Sequence, residues 1–392
     1  MDTPMPAIII VAYNRTEPLK RLLDSLLRAK YPAQPIPLII SIDKSESARV
    51  ADLAEGFHWP YGKKEVVKHN EHKGLLKHLL YMLSLAETYE DLIVLEDDLA
   101  VSPYFYSFAR QALAFYGSAP DVAGVSLYHY SLSESSLLKF DPLDDSSSVY
   151  FMQYPSSWGF AINKKQALAF LESYNSGSLN YFIKEPLFIK NWPAQSWKRF
   201  MTSYLIKRDN YFVFPRLSLT TNFSPAGTHI PCNMELFHVP IQTADMLYRF
   251  IPFEQSMAVY DSYFEMTPAC LNKRTPLFTG YNFELDLQGC KDLTASDAPY
   301  VLTTRHTLHP LFSFASEMKP LLLNVVNNEA GKDIFFTLKE HVTENPGKIH
   351  YGHAEYLHRY SHKILSGRFS FLKYFYFYIL YDLKLFFGKF LK

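Results

Sequence analysis

The sequence predicts an α/β protein: a mostly parallel sheet with helices on both faces, then a smaller accessory module and an amphipathic tail helix. Three observations point there. Short β-branched runs alternate with helical leucine spacing over the first hundred residues. That rhythm fades beyond about residue 235. The chain then closes on a segment dense in Phe, Tyr and Lys.

Ala7 to Ala12 (AIIIVA) is continuous and β-branched, as in a strand buried on both faces. Thr16-Glu17-Pro18 starts a helix with proline in its first turn, and Leu19, Leu22, Leu23, Leu26 and Leu27 carry its apolar spacing. Pro32, Pro35 and Pro37 end it. Leu38 to Ile42 is the second strand, closed by Asp43, and Val66-Val67 a short third. Gly74 to Tyr89 reads as a helix and Leu92 to Leu95 as a strand closed by Glu96-Asp97-Asp98. Asp141 to Ser148 (DPLDDSSS) reads as a polar, mobile loop. Three units are expected: 1–234, the accessory module 235–345, and 346–392, a His-rich linker with the tail helix.

Composition narrows the function. The 392 residues carry 39 basic and 39 acidic side chains, so a generally basic nucleic-acid binder is not expected. Glycine is scarce, at 15 residues, which argues against a glycine-cradled nucleotide loop. The GFHWPYGKK run from Gly56 spaces its glycines wrongly for a phosphate loop, and no Ser or Thr follows its lysine. Cys232, Cys270 and Cys290 form no disulfide framework or metal knuckle, which fits a reducing compartment. His350, His353, His358 and His362, with Glu355, read as a polar amphipathic stretch in preference to a zinc site.

In parallel sheets, ligands gather at the carboxyl ends of the strands, where Arg15, Asp43 and the acidic triplet lie. Three consecutive carboxylates repel one another unless a cation is near. A hard divalent ion, held by one or two carboxylates and completed by substrate phosphates, suits them.

These residues also carry a resemblance. Ile9-Ile10-Val11-Ala12-Tyr13-Asn14-Arg15, Asp43 and Leu95-Glu96-Asp97-Asp98-Leu99 resemble the GT-A nucleotide-sugar glycosyltransferases, above all family 2-like enzymes and the N-acetylglucosaminyltransferase I group. Ser157-Trp158-Gly159-Phe160, Trp197-Lys198-Arg199, Phe214-Pro215-Arg216 and Gly227-Thr228-His229 extend it over about residues 7 to 230. The resemblance implies a GT-A fold and a metal-dependent, inverting transfer of a sugar from a nucleoside-diphosphate donor, UDP-linked, to a glycan or lipid-linked hydroxyl. It implies that Tyr13, Asn14 and Arg15 line the nucleoside pocket, with Asp43 on base or ribose. Gly74 and Lys77 would approach the nucleotide, and Glu96 and Asp97 would border ribose and sugar. Asp98 would bind Mn²⁺ or Mg²⁺, Trp158-Gly159 would shape the sugar and acceptor pocket, and His229 would close over the diphosphate.

One departure bears on catalysis. The resemblance implies an Asp one or two residues before Trp197, to deprotonate the acceptor, but Gln195 and Ser196 stand there. Glu185 and Asp209 are the nearest carboxylates in sequence and become the candidate bases. Two other readings compete: a catalytically degenerate transferase acting as a partner or glycan-binding subunit, and a sugar nucleotidyltransferase.

The tail, Phe371 to Lys392, places its charges on one half of a helix and Leu372, Phe375, Ile379, Leu383, Phe386 and Phe390 on the other. An apolar face with a basic rim suits an anionic membrane surface. A cytoplasmic protein held at the inner face of the membrane is therefore expected.

Overall fold

The computed structural model describes residues 5–136, 138–179, 186–190, 192–223 and 237–343. Glu185, His229, the histidine cluster from His350 and the tail Phe371–Lys392 lie outside them.

In chain order the elements begin with β1 (Ala7–Ala12), α1 (Thr16–Leu27), β2 (Leu38–Ile42), α2 (Arg49–Gly56), β3 (Lys64–Lys68), α3 (Gly74–Ser84), α4 (Ala86–Tyr89) and β4 (Asp91–Glu96). There follow β5 (Leu99–Val101), α5 (Phe105–Tyr116), β6 (Val122–Ser126), β7 (Val149–Met152), β8 (Phe160–Asn163), α6 (Lys164–Asn175), α7 (Leu187–Lys190) and α8 (Trp197–Arg208). The chain continues through β9 (Tyr211–Pro215), β10 (Thr220–Asn222), β11 (Val259–Tyr260), α9 (Pro268–Arg274), β12 (Phe283–Asp286), β13 (Tyr300–Thr303), β14 (Phe312–Phe314), α10 (Leu322–Val326) and β15 (Ile334–Leu338).

Nine strands form one sheet in the order β11-β7-β9-β6-β8-β4-β1-β2-β3. β3, β2, β1 and β4 run parallel. β8 inserts antiparallel between β4 and β6, and β9 lies parallel to β6. β7 runs antiparallel to β9, with β11 parallel to β7. The carboxyl ends of β1, β2, β4, β6 and β9 therefore share one edge. This mixed α/β sheet fits the expected GT-A arrangement.

Local sequence explains the layering. Every residue of β1, β2 and β9 is buried, so each apolar run lies covered on both faces. β3 (KEVVK) is the sheet's edge, and its lysines suit an exposed edge. Lys64 reaches back from it to the carbonyls of Ala54, Glu55 and Phe57 at the end of α2. α1 buries Leu19, Leu22, Leu23 and Leu26, but Leu27 turns outward, 39% exposed. The helix expected from Gly74 to Tyr89 breaks after Ser84 into α3 and α4.

One expectation meets different structure. The loop Asp141–Ser148 is pinned: Asp145 is buried and accepts from Arg216 at 2.9 Å, from Ser256 Oγ at 2.9 Å and from its neighbour Ser147 Oγ at 2.7 Å. A loop that supplies a buried ion pair gives up its freedom. Past residue 234, β11 still joins the large sheet, pairing Val259 with Phe151. A second sheet, in the order β12-β13-β15-β14, follows it. Among the described residues no helix is long and apolar enough to cross a membrane.

Candidate active site

The register of β1 against β4 pairs Val11 with Glu96, so the turn after β1 lies beside the triplet. Arg15 there donates to Asp97 Oδ1 and, at 3.2 Å, to Asp98 Oδ2. Burial opposes the charge on Arg15, yet Asp97 and Asp98 together raise its pKa. Burial pushes Asp97 up to about 6 against the pull of Arg15, and Asp98 adds to the rise. Glu96 keeps part of its surface open to solvent. Even so, desolvation, then Asp98 and Asp97, drive it well above the ordinary carboxylate range. One guanidinium thus bonds two of the three carboxylates, and Glu96 meets Arg15 and Lys198 only through space.

Asp98 carries the clearest sign of a missing cation. Its Oδ1 is buried with no hydrogen-bond partner among the described residues. Buried polar atoms are nearly always paired, so an orphan on a carboxylate fits a metal. Among the described residues no group of three or more His, Cys, Asp or Glu side chains could hold a metal alone. A cation here would take one or two carboxylates and complete its shell from ligand phosphates and water.

A second cluster forms at the end of β2. Asp43 accepts from the backbone N–H of Lys44, Lys73 and Gly74 at 2.8–2.9 Å, and His72 Nδ1 lies 3.0 Å away. Burial alone would raise the Asp43 pKa, but these amide bonds hold it below the usual value. Asp43 therefore anchors the start of α3, where Gly74 takes φ +68°. Tyr13 packs on His72 with ring centroids 5.1 Å apart. Asn14 and Lys77 are exposed. Ser41 Oγ lies 2.7 Å from His78 Nε2 and 3.0 Å from His69 Nε2. Burial, helped by His69, lowers His78 to about 4, so the ring is neutral.

The Trp158-Gly159 turn enters β8 directly against β4. Gly159 has φ +92°, and a Cβ there would stand 3.0 Å from Thr220 Cγ2 and 3.2 Å from Leu95 Cδ2. Glycine is needed on both counts. The turn is held by Thr220 Oγ1, which donates to the Trp158 carbonyl at 2.5 Å. Trp158 in turn packs against Tyr128, at 4.6 Å between ring centroids.

Of the two candidate bases, Asp209 does not belong to this edge. It caps the far end of α8 with φ +52° and precedes β9, so it sits at the amino ends of the parallel strands. Its carboxylate is engaged by Gln153 Nε2 and Tyr211 Oη, each at 3.0 Å. The near end of α8 instead carries an ion pair that sequence reasoning missed. Lys198 Nζ lies 2.5 Å from Glu134 Oε1 and 3.1 Å from Tyr130 Oη. Burial lowers the Lys198 pKa, with Glu134 opposing. The sequence signal was weak: a lysine one position into a helix, between Trp192 and Trp197 on one side and a serine-flanked Glu134 sixty residues earlier on the other.

Among curated proteins none matches this chain. Three solved structures resemble it in part. The mannosyltransferase PcManGT from Pyrobaculum calidifontis, in complex with GDP-Man and Mn²⁺, is 17% identical over 44% of this chain and 46% of its own, with TM-score 0.32. TarS from S. aureus in complex with UDP-GlcNAc is 14% identical over 57% and 60%, with TM-score 0.39. GalNAc-T7 with UDP, GalNAc and Mn²⁺ is 13% identical over 55% and 43%, with TM-score 0.38. The chain spans only about half the length of such structures, and likenesses this loose transfer no ligand or role. A firmer relation lies in the sequence: residues 7–176, which run from β1 through α6 and include the carboxylate triplet, match the family described as Glycosyl transferase family 2.

Proposed function

We propose that the protein transfers a sugar from a nucleoside-diphosphate donor, UDP-linked, to a hydroxyl of a glycan or lipid-linked acceptor. The observation that carries this reading is the partly buried, cation-poor triplet Glu96-Asp97-Asp98, with Asp98 Oδ1 buried and unpartnered, inside the segment that matches glycosyl transferase family 2. Tyr13 and Arg15 stand on one side of the triplet and Trp158-Gly159 on the other, a cleft suited to a nucleotide and a sugar. Asp98 would hold Mn²⁺ or Mg²⁺, with Asp97 beside it. A divalent cation there supplies charge for the departing diphosphate. Arg15 would pair with the donor phosphates, since a guanidinium can bond carboxylate or phosphate. The basic, aromatic tail would hold the protein on the anionic inner face of the membrane, next to a lipid-linked acceptor.

A degenerate transferase is the second reading, favoured by Gln195 and Ser196 at the place where the resemblance implies a base. Purified protein incubated with Mn²⁺ and a panel of UDP- and GDP-sugars separates the two. Release of nucleoside diphosphate is expected with one donor. Donor binding without any release would favour the degenerate form, and no binding at all would overturn the glycosyltransferase reading.

A further inference from the structure

We propose that Glu134 is the base that takes the proton of the acceptor hydroxyl, that Lys198 positions it, and that the acceptor is a sugar ring seated on the aromatic wall around them. This rests on the glycosyl-transfer reading.

Glu134 lies in the loop that leaves the carboxyl end of β6, and Lys198 lies in the first turn of α8 at the same edge. Their side chains are only 15% and 10% exposed. Lys198 Nζ stands 4.6 Å from the centroid of Tyr154, 5.3 Å from Trp192 and 5.4 Å from Trp158. Taking two such charges out of water costs several kcal/mol per ion before their attraction is counted. A packing site of this size would be served as well by apolar side chains, so an ion pair kept beside a carboxylate cleft points to chemistry. The pair is also close enough to the triplet for Lys198 to act on Glu96 through space.

The geometry of Glu134 suits a base. Lys198 occupies Oε1 at 2.5 Å, and Tyr154 Oη donates to Oε2 at 3.0 Å. A carboxylate offers about four lone-pair sites, so capacity remains for a hydroxyl. Asp43 and Asp145 at this edge are held by backbone amides and by Arg216, and the triplet is left to the cation. The loop is fixed as a base requires. Ser136 Oγ donates to Gln288 Oε1 at 2.6 Å, and Ser133 and Ser135 are bonded at 2.7 Å. Trp158 and Trp192 are partly buried beside the pair and keep some apolar surface open, the lining expected of a small-molecule site.

The acceptor O–H breaks and its proton passes to the Glu134 carboxylate. The acceptor oxygen forms a bond to the anomeric carbon. The bond from that carbon to the diphosphate oxygen breaks, and its electron pair leaves with the nucleoside diphosphate. A single displacement inverts the anomeric centre.

The test compares wild type, Glu134→Gln and the uncharged double variant Glu134→Gln with Lys198→Met, which leaves no buried charge behind should the single variant fold poorly. Donor binding is measured by calorimetry with UDP-GlcNAc and GDP-Man in Mn²⁺, and turnover as nucleoside diphosphate released in the presence of free monosaccharide and disaccharide acceptors. Both variants should bind the donor within about twofold of wild type, lose roughly 10²–10⁴-fold in kcat, and lose the acid limb of the pH–kcat profile. Wild-type kcat in either variant, with donor binding intact, overturns the assignment of Glu134 and leaves the transferase reading standing. A wild type that binds neither donor sinks both together.

Discussion

Arg15 Nη2 lies 3.2 Å from Asp98 Oδ2, while Oδ1 of the same carboxylate is buried without a hydrogen-bond partner among the described residues. One oxygen is neutralised from the protein, and the other awaits a charge from outside. Asp98→Asn should therefore cut Mn²⁺-dependent turnover by roughly 10²–10³-fold and weaken donor binding, with the melting temperature unchanged or raised. Turnover at the wild-type rate, with the same metal dependence, would make the triplet structural.

Gly159→Ala tests the turn that carries Trp158. At φ +92°, with Thr220 Cγ2 and Leu95 Cδ2 within 3.2 Å of the new methyl, the variant should lose about 1–3 kcal/mol of stability. Tryptophan emission should shift as the turn moves. An unchanged denaturation midpoint and spectrum would show that the turn relaxes freely.

Asp145→Ala leaves Arg216 partly buried and unpaired, because Asp145 Oδ1 meets Arg216 Nη2 at 2.9 Å with only 1% of the Asp145 side chain exposed. Breaking a buried pair from one side costs about 3–5 kcal/mol. Chemical denaturation measures it, and a loss below about 1 kcal/mol would mean the loop is held by something else.

Glu265 gives a pH prediction. Burial, then Asp286, lifts it to about 8 from an ordinary 4.5. Between those values the folded state keeps a proton that the unfolded state has lost, so stability falls as pH rises, and the slope ends above pH 8. One proton is worth about 1.4 kcal/mol per pH unit. In Glu265→Gln this loss between pH 5 and 8 should shrink. Parallel stability–pH curves for the two proteins would refute it.

The tail is tested by replacing Phe386 and Phe387 with Ser. Two buried phenylalanines are worth roughly 1.5–3 kcal/mol each, so partitioning onto anionic vesicles should weaken at least about a hundredfold. High salt should weaken wild-type binding as well. Wild type left in the supernatant would end the membrane proposal.

The strand ends around the triplet were legible because their parts are local in sequence. A β-branched run ending in Tyr13-Asn14-Arg15 and another ending in Glu96-Asp97-Asp98 announce strand, strand end and charge within ten residues each. Gly159 could be marked for the same reason. The pairing of Glu134 with Lys198 joins a loop to a helix 64 positions later, and neither segment has a pattern that reports the other. Asp209 shows the opposite error: nearness in sequence to Trp197 does not survive the length of a twelve-residue helix, which carries it to the other edge of the sheet. The mobile reading of Asp141–Ser148 failed because polar residues look alike whether they face water or a buried arginine.

Ser136 Oγ donates to the side-chain carbonyl of Gln288, 152 positions downstream, and the Gln288 backbone N–H donates to Glu265 Oε1 at 2.6 Å. This link sets an order in time. During synthesis the triplet and its strands leave the ribosome first, yet the loop bearing Glu134 gains its last support only when the second sheet begins to emerge. A nascent chain stalled before residue 288 would lack this brace on the loop that carries Glu134.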